Sequence, residues 1–407
     1  MLQAIVFGAG AIGLGLLGDV LSRSKYAVKY VDIDERIVST LHTHGRYRFN
    51  VVGPEPKVVT VEQVDGLSYA NEPAISGAIS GSNVVFTATG EAALPLIART
   101  LAKGLVERMK RWRPINVVCC ENLYDAAALL RGYVIEELSK LPWVQDDYKA
   151  KIEDVGYANT IISKMCKKTE YNPMTPSHQA IVEGSNVVIE VEAEGEIVTE
   201  REALVEPGME LVDTLFLDSG KFEAERDKKV FAHNGGHALL AYLGALKNFS
   251  YIRESGMDNE IKAVFYRAIV DEIGKALIRR YPNYLNYKQF KEYVNNLFSR
   301  MTSPYLNDTV ERGIRSSLKK IGGHDARLTR AARFSLEQGV TPQFFCLTIA
   351  AALIINNVET AELDRALLEL CNLSPDKDSE LISLITRACE TLTDWQKLKF
   401  PILKSHL

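Results

Sequence analysis

Lys229, Asn234 and His237 stand close together in the stretch Lys229-Val-Phe-Ala-His-Asn-Gly-Gly-His-Ala-Leu-Leu-Ala-Tyr-Leu-Gly244. A lysine becomes a general base once burial or a neighbouring positive charge disfavours its ammonium form. Asparagine and histidine can donate hydrogen bonds to an oxygen that gains negative charge during reaction. Gly235 and Gly236 remove side-chain bulk between them, so that a substrate could approach the backbone. The set could therefore take the proton of an alcohol and hold the resulting alkoxide. Taken alone, the stretch is read more economically as a helix start, with Asn234 as N-cap and Lys229 on a solvated turn.

The surrounding elements change that balance. Ala4–Phe7, Ala27–Val31, Val58–Val61, Val84–Thr87 and Asn116–Cys119 have strand patterns. Residues 12–22, 35–44, 92–105 and 123–138 have helical ones. This alternation predicts a parallel sheet covered by helices on both faces. Val182–Ala193 reads as a further strand and Pro173–Ser177 as a loop. Beyond about Gly235 helical periods dominate, over residues 259–279, 287–300, 308–320, 326–338, 343–355, 361–370 and 379–392, with Asp325 and Ser379 as N-caps. The expected division is an α/β domain over 1–200 and a mainly helical domain over 201–407, with the lysine motif near the junction. Ligand sites favour such junctions.

Phe7-Gly8-Ala9-Gly10-Ala11-Ile12-Gly13 follows the first strand and opens the first helix. In that context Gly8 permits a tight turn, Gly10 lets a pyrophosphate touch the backbone, and Gly13 permits close helix packing. Free N–H groups and the positive helix end, reached at Ile12, favour the phosphates. Asp32 ends the second strand, 19 residues after Gly13, where a carboxylate would bind the adenosine ribose and repel a 2′-phosphate. NAD is thus expected over NADP, although FAD would fit the same turn. Thr89 and Gly90 after the fourth strand, and Asn122 after the fifth, are either cofactor contacts or polar strand ends.

Composition narrows the classes. A chain of 407 residues with 46% hydrophobic and 25% charged residues is an ordinary globular protein of more than one domain. A net charge of −4 implies no bulk attraction to nucleic acid or anionic membrane. No basic, cleavable leader opens the chain, and the apolar run Phe344–Ile355 is too short to span a bilayer. The six cysteines show no CxxC pair or zinc-finger spacing, so a reducing cytoplasm and no structural metal are expected.

Five stretches together carry a more specific likeness: residues 7–18 (FGAGAIGLGLLG), 31–41 (VDIDERIVSTL), 119–123 (CCENL), 229–244 and 303–315 (SPYLNDTVERGIR). In this order they resemble the polyol-specific long-chain dehydrogenases, and within them the branch acting on mannitol 1-phosphate. The resemblance implies a Rossmann-type N-terminal domain with an all-helical C-terminal domain, and metal-independent hydride transfer with NAD. It makes Lys229 the general base and gives Asn234 and His237 the reacting oxygen. The implied reaction interconverts mannitol 1-phosphate and fructose 6-phosphate, and the family leans towards monomers. Hydride exchange with a bound polyol needs nothing beyond NAD.

Lys229 does not share a regular helix face with Asn234, so it is expected to approach from a preceding turn or irregular segment. Spacing favours Lys229 over Lys228, with His233 as a packing residue. Arg312, Arg315 and Lys319, one face of a helix, could hold a substrate phosphate. Equally they could form a solvated face, with Glu311 pairing Arg315. A dehydrogenase of another hexitol or of a sugar acid such as fructuronate is the nearest alternative. A non-catalytic NAD-binding sensor is the alternative from another class.

Overall fold

The computed structural model describes residues 2–109, 113–141, 154–172, 174, 178–315, 321–322 and 327–397. The chain divides into two compact units, Met1–Phe222 and Glu223–Leu407.

The first unit contains twelve strands among its described residues: β1 (Leu2–Phe7), β2 (Tyr26–Asp32), β3 (Arg46–Val52), β4 (Lys57–Glu62), β5 (Val64–Ser68), β6 (Val84–Thr87), β7 (Ile115–Cys119), β8 (Val155–Ile162), β9 (Cys166–Glu170), β10 (Val187–Glu192), β11 (Ile197–Glu200) and β12 (Thr214–Leu217). Eight form one sheet in the order β12-β11-β8-β7-β6-β1-β2-β5. From β5 to β8 neighbouring strands are parallel, and β11 then pairs antiparallel with β8. Alternation along β1 sends Ile5 and Phe7 to one face and Ala4 and Val6 to the other. Helices Glu72–Gly81, Leu94–Met109 and Ala126–Ser139 cover the first face.

On the second face the expectation of helices alone is corrected. Behind the Gly13–Arg23 helical segment lies a four-stranded sheet, β4-β3-β10-β9, whose Tyr47, Phe49, Ile189 and Val191 share its apolar core. The Tyr47 hydroxyl donates to the Leu14 carbonyl at 2.6 Å, and the Tyr30 hydroxyl to the Gly13 carbonyl at 3.2 Å. Val58–Val61 lies in β4, paired antiparallel with β3, rather than in the parallel sheet. The edge beside β2 is taken by β5, whose Val64-Asp-Gly-Leu-Ser sequence is a weak strand signal. The predicted strand Val182–Ala193 narrows to β10, and the Pro173–Ser177 loop lies largely outside the described residues. Because β11 and β12 extend the main sheet to Leu217, the first unit runs past residue 200 to Phe222.

In the described part of the second unit all regular elements are helices. The expected periods correspond to Asn259–Arg280, Tyr287–Met301, Val310–Ile314, Arg327–Glu337, Gln343–Ile355, Leu363–Glu369 and Pro375–Lys397. Leu239, Leu243, Phe265, Ile269, Phe345 and Ile349 are fully buried in its core. Asp325 lies outside the described residues, as does Lys319. The Pro375–Lys397 helical segment is broken at Asp378 (φ −117°, ψ 22°), so its long part resumes at Ser379 and the non-helical residue before it is Asp378 rather than Ser379.

Two buried polar groups lock these helices together. The Glu272 carboxylate accepts from the N–H groups of Phe344 (2.8 Å) and Phe345 (2.9 Å), capping the Gln343–Ile355 helix. Burial pushes its pKa up to about 7 against those bonds. Near the end of the last helix, the fully buried Trp395 ring lies 5.0 Å from the Lys247 ammonium. Lys247 is in turn paired with Asp258 at 2.7 Å and Glu260 at 3.1 Å. Among the described residues, no helix is long and apolar enough to cross a membrane.

Candidate active site

Within the first unit the candidate nucleotide residues gather at the carboxyl edge of the parallel strands. Gly8 has φ +102°, which an L side chain rarely adopts. A Cβ at Gly13 would stand 1.9 Å from the Gly8 carbonyl oxygen, so the helix can approach the turn only as glycine. At Gly10 nothing lies within 4 Å of where a Cβ would be, leaving open space over the backbone. Ile12 sits in the helical segment just before Gly13, half-buried against the core. Asp32 turns one carboxylate oxygen back to the Ala9 N–H at 2.6 Å and the other to the Asp34 N–H at 2.9 Å. It therefore shapes the glycine turn.

Thr89, Gly90 and Asn122 are all exposed at the same edge. Glu121, between Cys120 and Asn122, is only 5% exposed. Its carboxylate accepts from the Thr87 hydroxyl at 2.7 Å and the Thr89 N–H at 3.1 Å. Burial raises its pKa, and the bonds from Thr87 and Thr89 oppose that rise. Cys120-Glu121-Asn122 is legible as a polar strand end or cofactor contact, but nothing in Cys-Cys-Glu-Asn marks the acid as buried. Asn159, in the middle of β8, carries no sequence signal of its own. The Asn159 amide accepts from the Ala127 N–H and donates to Asp125, both at 2.9 Å, fixing the start of the helix after Asn122.

Within the second unit the lysine motif is helical throughout. The helix from Ser219 passes into a π-helix over Lys228–Asn234 and resumes as an α-helix over Gly235–Leu246. Asn234 is thus no N-cap: it has φ −68° and ψ −38° and makes no capping bond. Nor does Lys229 come from an irregular segment. On an α-helix, residues five apart are rotated by about 140°. In a π-helix, whose bonds run from i to i+5, they are neighbours on successive turns. The π turn brings Lys229 and Asn234 to one side.

Gly235 and Gly236 serve packing. A Cβ at Gly235 would come 2.9 Å from the Phe345 ring, and one at Gly236 2.7 Å from the Phe265 ring. The expected substrate approach over these glycines is accordingly replaced by aromatic side chains.

The polar groups differ sharply in their partners. Lys228 is paired with Glu225 at 2.5 Å and lies 4.6 Å from the Tyr293 ring centre, which separates it from Lys229. The Asn234 Nδ2 is buried and has no hydrogen-bond partner among the described residues. Such an atom costs free energy unless something accepts from it. His233 has its pKa pushed well below the usual histidine value by burial and by the positive charges of Lys229, Arg300, His237 and Arg327. The His237 Nε2 donates to the Asp308 carboxylate at 2.8 Å.

Asp308 also accepts two bonds from Arg312, at 2.7 and 2.6 Å. Burial alone would raise its pKa, but His237 and Arg312 hold it well below the usual carboxylate range. Arg315 pairs with Glu311 at 2.7 Å, both side chains being largely exposed. Arg312 and Arg315 are therefore each engaged by a carboxylate one helical turn away. Among the described residues, no group of three or more His, Cys, Asp or Glu could hold a metal ion.

A glycine turn on a parallel sheet, joined to a helical unit carrying lysine, asparagine and histidine, defines an oxidoreductase of the dinucleotide-binding class. Residues 2–211 match the mannitol dehydrogenase Rossmann domain and residues 222–363 the mannitol dehydrogenase C-terminal domain. The chain belongs to the mannitol dehydrogenase family. It is 32% identical over 373 residues to a mannitol-1-phosphate 5-dehydrogenase of Oceanobacillus iheyensis, covering 91% of this chain and 90% of that protein. It is 30% identical over 398 residues to one of Shouchella clausii, covering 95% and 100%. The fold resembles that of Pseudomonas fluorescens mannitol 2-dehydrogenase solved with NAD and D-mannitol, with a TM-score of 0.77 at 14% identity over 99% of this chain and 94% of that one. A D-sorbitol dehydrogenase gives a TM-score of 0.73 at 14% identity, covering 97% and 93%.

Proposed function

We propose that this chain catalyses the NAD-dependent interconversion of mannitol 1-phosphate and fructose 6-phosphate in the cytoplasm. Relatives of that name align over nine-tenths or more of the chain. The observation that carries the chemistry is the buried Asn234 Nδ2, without a hydrogen-bond partner among the described residues, on the π turn that also carries Lys229. A donor held ready without a protein acceptor suits an oxygen that the substrate brings.

Gly8, Gly10, Ile12, Gly13, Asp32, Thr89, Gly90 and Asn122 would hold the dinucleotide, and the open backbone at Gly10 fits a phosphate. When bound, NAD supplies the hydride acceptor for the carbinol carbon. Lys229 would take the hydroxyl proton as the general base, on the same π turn as Asn234. Asn234 donates to the developing alkoxide. His237, its ring oriented by Asp308 at Nε2, can donate to the same oxygen through Nδ1 when the ring carries both protons. The phosphate end is assigned to Arg315, Arg312 and Lys319, of which the first two would have to share their guanidinium groups with Glu311 and Asp308.

Assays of the purified chain with fructose 6-phosphate, fructose and fructuronate, each with NADH and NADPH, test the substrate and cofactor. Fructose 6-phosphate with NADH is expected to react fastest, and preference for an unphosphorylated ketose or a sugar acid would replace this reading. Lys229→Ala is expected to lose about 10²–10⁴-fold in turnover while NADH affinity holds. Near-normal turnover in that variant would remove Lys229 as the base.

A further inference from the structure

β6 and β7 are joined by their own backbone ladder, so the sheet does not need a carboxylate between their ends. Glu121 nevertheless buries one there, and it spends its acceptors at the end of β6 and the turn after it: the Thr87 hydroxyl and the Thr89 N–H. That turn is exposed at Thr89 and Gly90, and Gly90 has φ +90°. It is also the bed on which the glycine turn rests. A Cβ at Gly8 would meet the Ala88 carbonyl oxygen at 2.6 Å and the Thr89 methyl at 3.0 Å. The Ala88 N–H donates to the Phe7 carbonyl at 2.8 Å, and the Cys120 N–H to the Thr87 carbonyl at 2.8 Å. Three turns, after β1, β6 and β7, are thus tied in series. Asp32 holds the first through Ala9, and Glu121 holds the second.

We propose that Glu121 is a positioning residue for the dinucleotide, its carboxylate fixing the Thr87–Gly90 turn so that the exposed Thr89–Gly90 backbone and the glycine turn above it are preset for the cofactor. The inference rests on the reading of this edge as the NAD site. An ionised carboxylate can accept from all of these donors at once. A glutamine in its place keeps one acceptor oxygen but turns an NH₂ towards a donor, so the turn must shift.

NADH binding to wild type, Glu121→Gln and Thr87→Val, followed by fluorescence, tests this together with steady-state kinetics and thermal unfolding. Glu121→Gln is expected to weaken NADH by about tenfold or more and to raise KM for NAD correspondingly. KM for mannitol 1-phosphate should stay put. Thr87→Val, which loses one donor only, should move NADH affinity in the same direction by less, and it carries the test if the glutamine variant fails to fold. NADH affinities within about twofold of wild type in the folded variants, or equal loss of affinity for both substrates, would overturn the proposal. Wild-type protein that binds no NADH would instead overturn the cofactor reading, and the role of Glu121 with it.

Discussion

His237 shows how one hydrogen bond defines the use of a side chain. With Nε2 given to Asp308, only Nδ1 is left for the proposed contact with a substrate oxygen. Asp308 stays ionised because His237 and Arg312 both donate to it. Asp308→Asn keeps the shape and removes the charge. It is expected to lower turnover by about 10- to 100-fold, the scale of one misplaced polar group, with NADH affinity unchanged. Unchanged turnover, measured under saturating substrate, would reduce Asp308 to a fold contact. Residue type and order single out Lys229, Asn234 and His237 as candidates, and an acid four residues before Arg315 is visible as its partner. The Asp308–Arg312 pair has the same spacing but was not anticipated, because Asp308 also reaches His237, a contact 71 residues away along the chain. Side-chain type says what a group can bind, while its partner depends on packing.

At the level of elements, periodicity anticipated nearly every helix of the second unit and the central strands of the first. It missed what depends on pairing. β4 has a strand's sequence, but only its hairpin with β3 assigns it to the second sheet. The π turn was equally hidden, since the apolar pattern continues through Lys228–Asn234 without a break. Yet it is what aligns Lys229 with Asn234, and Gly235 and Gly236 are wedged against Phe345 and Phe265 directly after it.

Glu272, in a second π turn over Arg267–Gly274, gives a pH test at this scale. Its folded pKa of about 7 exceeds the unfolded carboxylate value, so the native state holds the proton more tightly. That contribution is present below about pH 4.5 and is lost as pH rises through 7. Wild type should therefore lose thermal stability relative to Glu272→Gln between pH 5 and about 8. Parallel melting-temperature curves for the two proteins would contradict it.

For the whole molecule, the last helix matters as much as the motifs. The C-terminal family domain is matched to residue 363, and Pro375–Lys397 follows it. Trp395, fully buried, anchors that helix on the Lys247–Asp258–Glu260 cluster. Trp395→Ala should destabilise the second unit by about 3–5 kcal/mol, read as a shift in its denaturant midpoint. A shift below about 1 kcal/mol would mean that the cluster holds without it. The Trp395 indole reaches Glu260 across 135 residues of chain. On a ribosome adding about 5–20 residues per second, the first unit could fold while the second still waits roughly 10–35 s for its closing tryptophan. Until Trp395 emerges, the apolar helix Gln343–Ile355, against which the last helix packs, lacks that cover. The Pro375–Lys397 helix would then set how long the Gln343–Ile355 helix waits for its cover during synthesis.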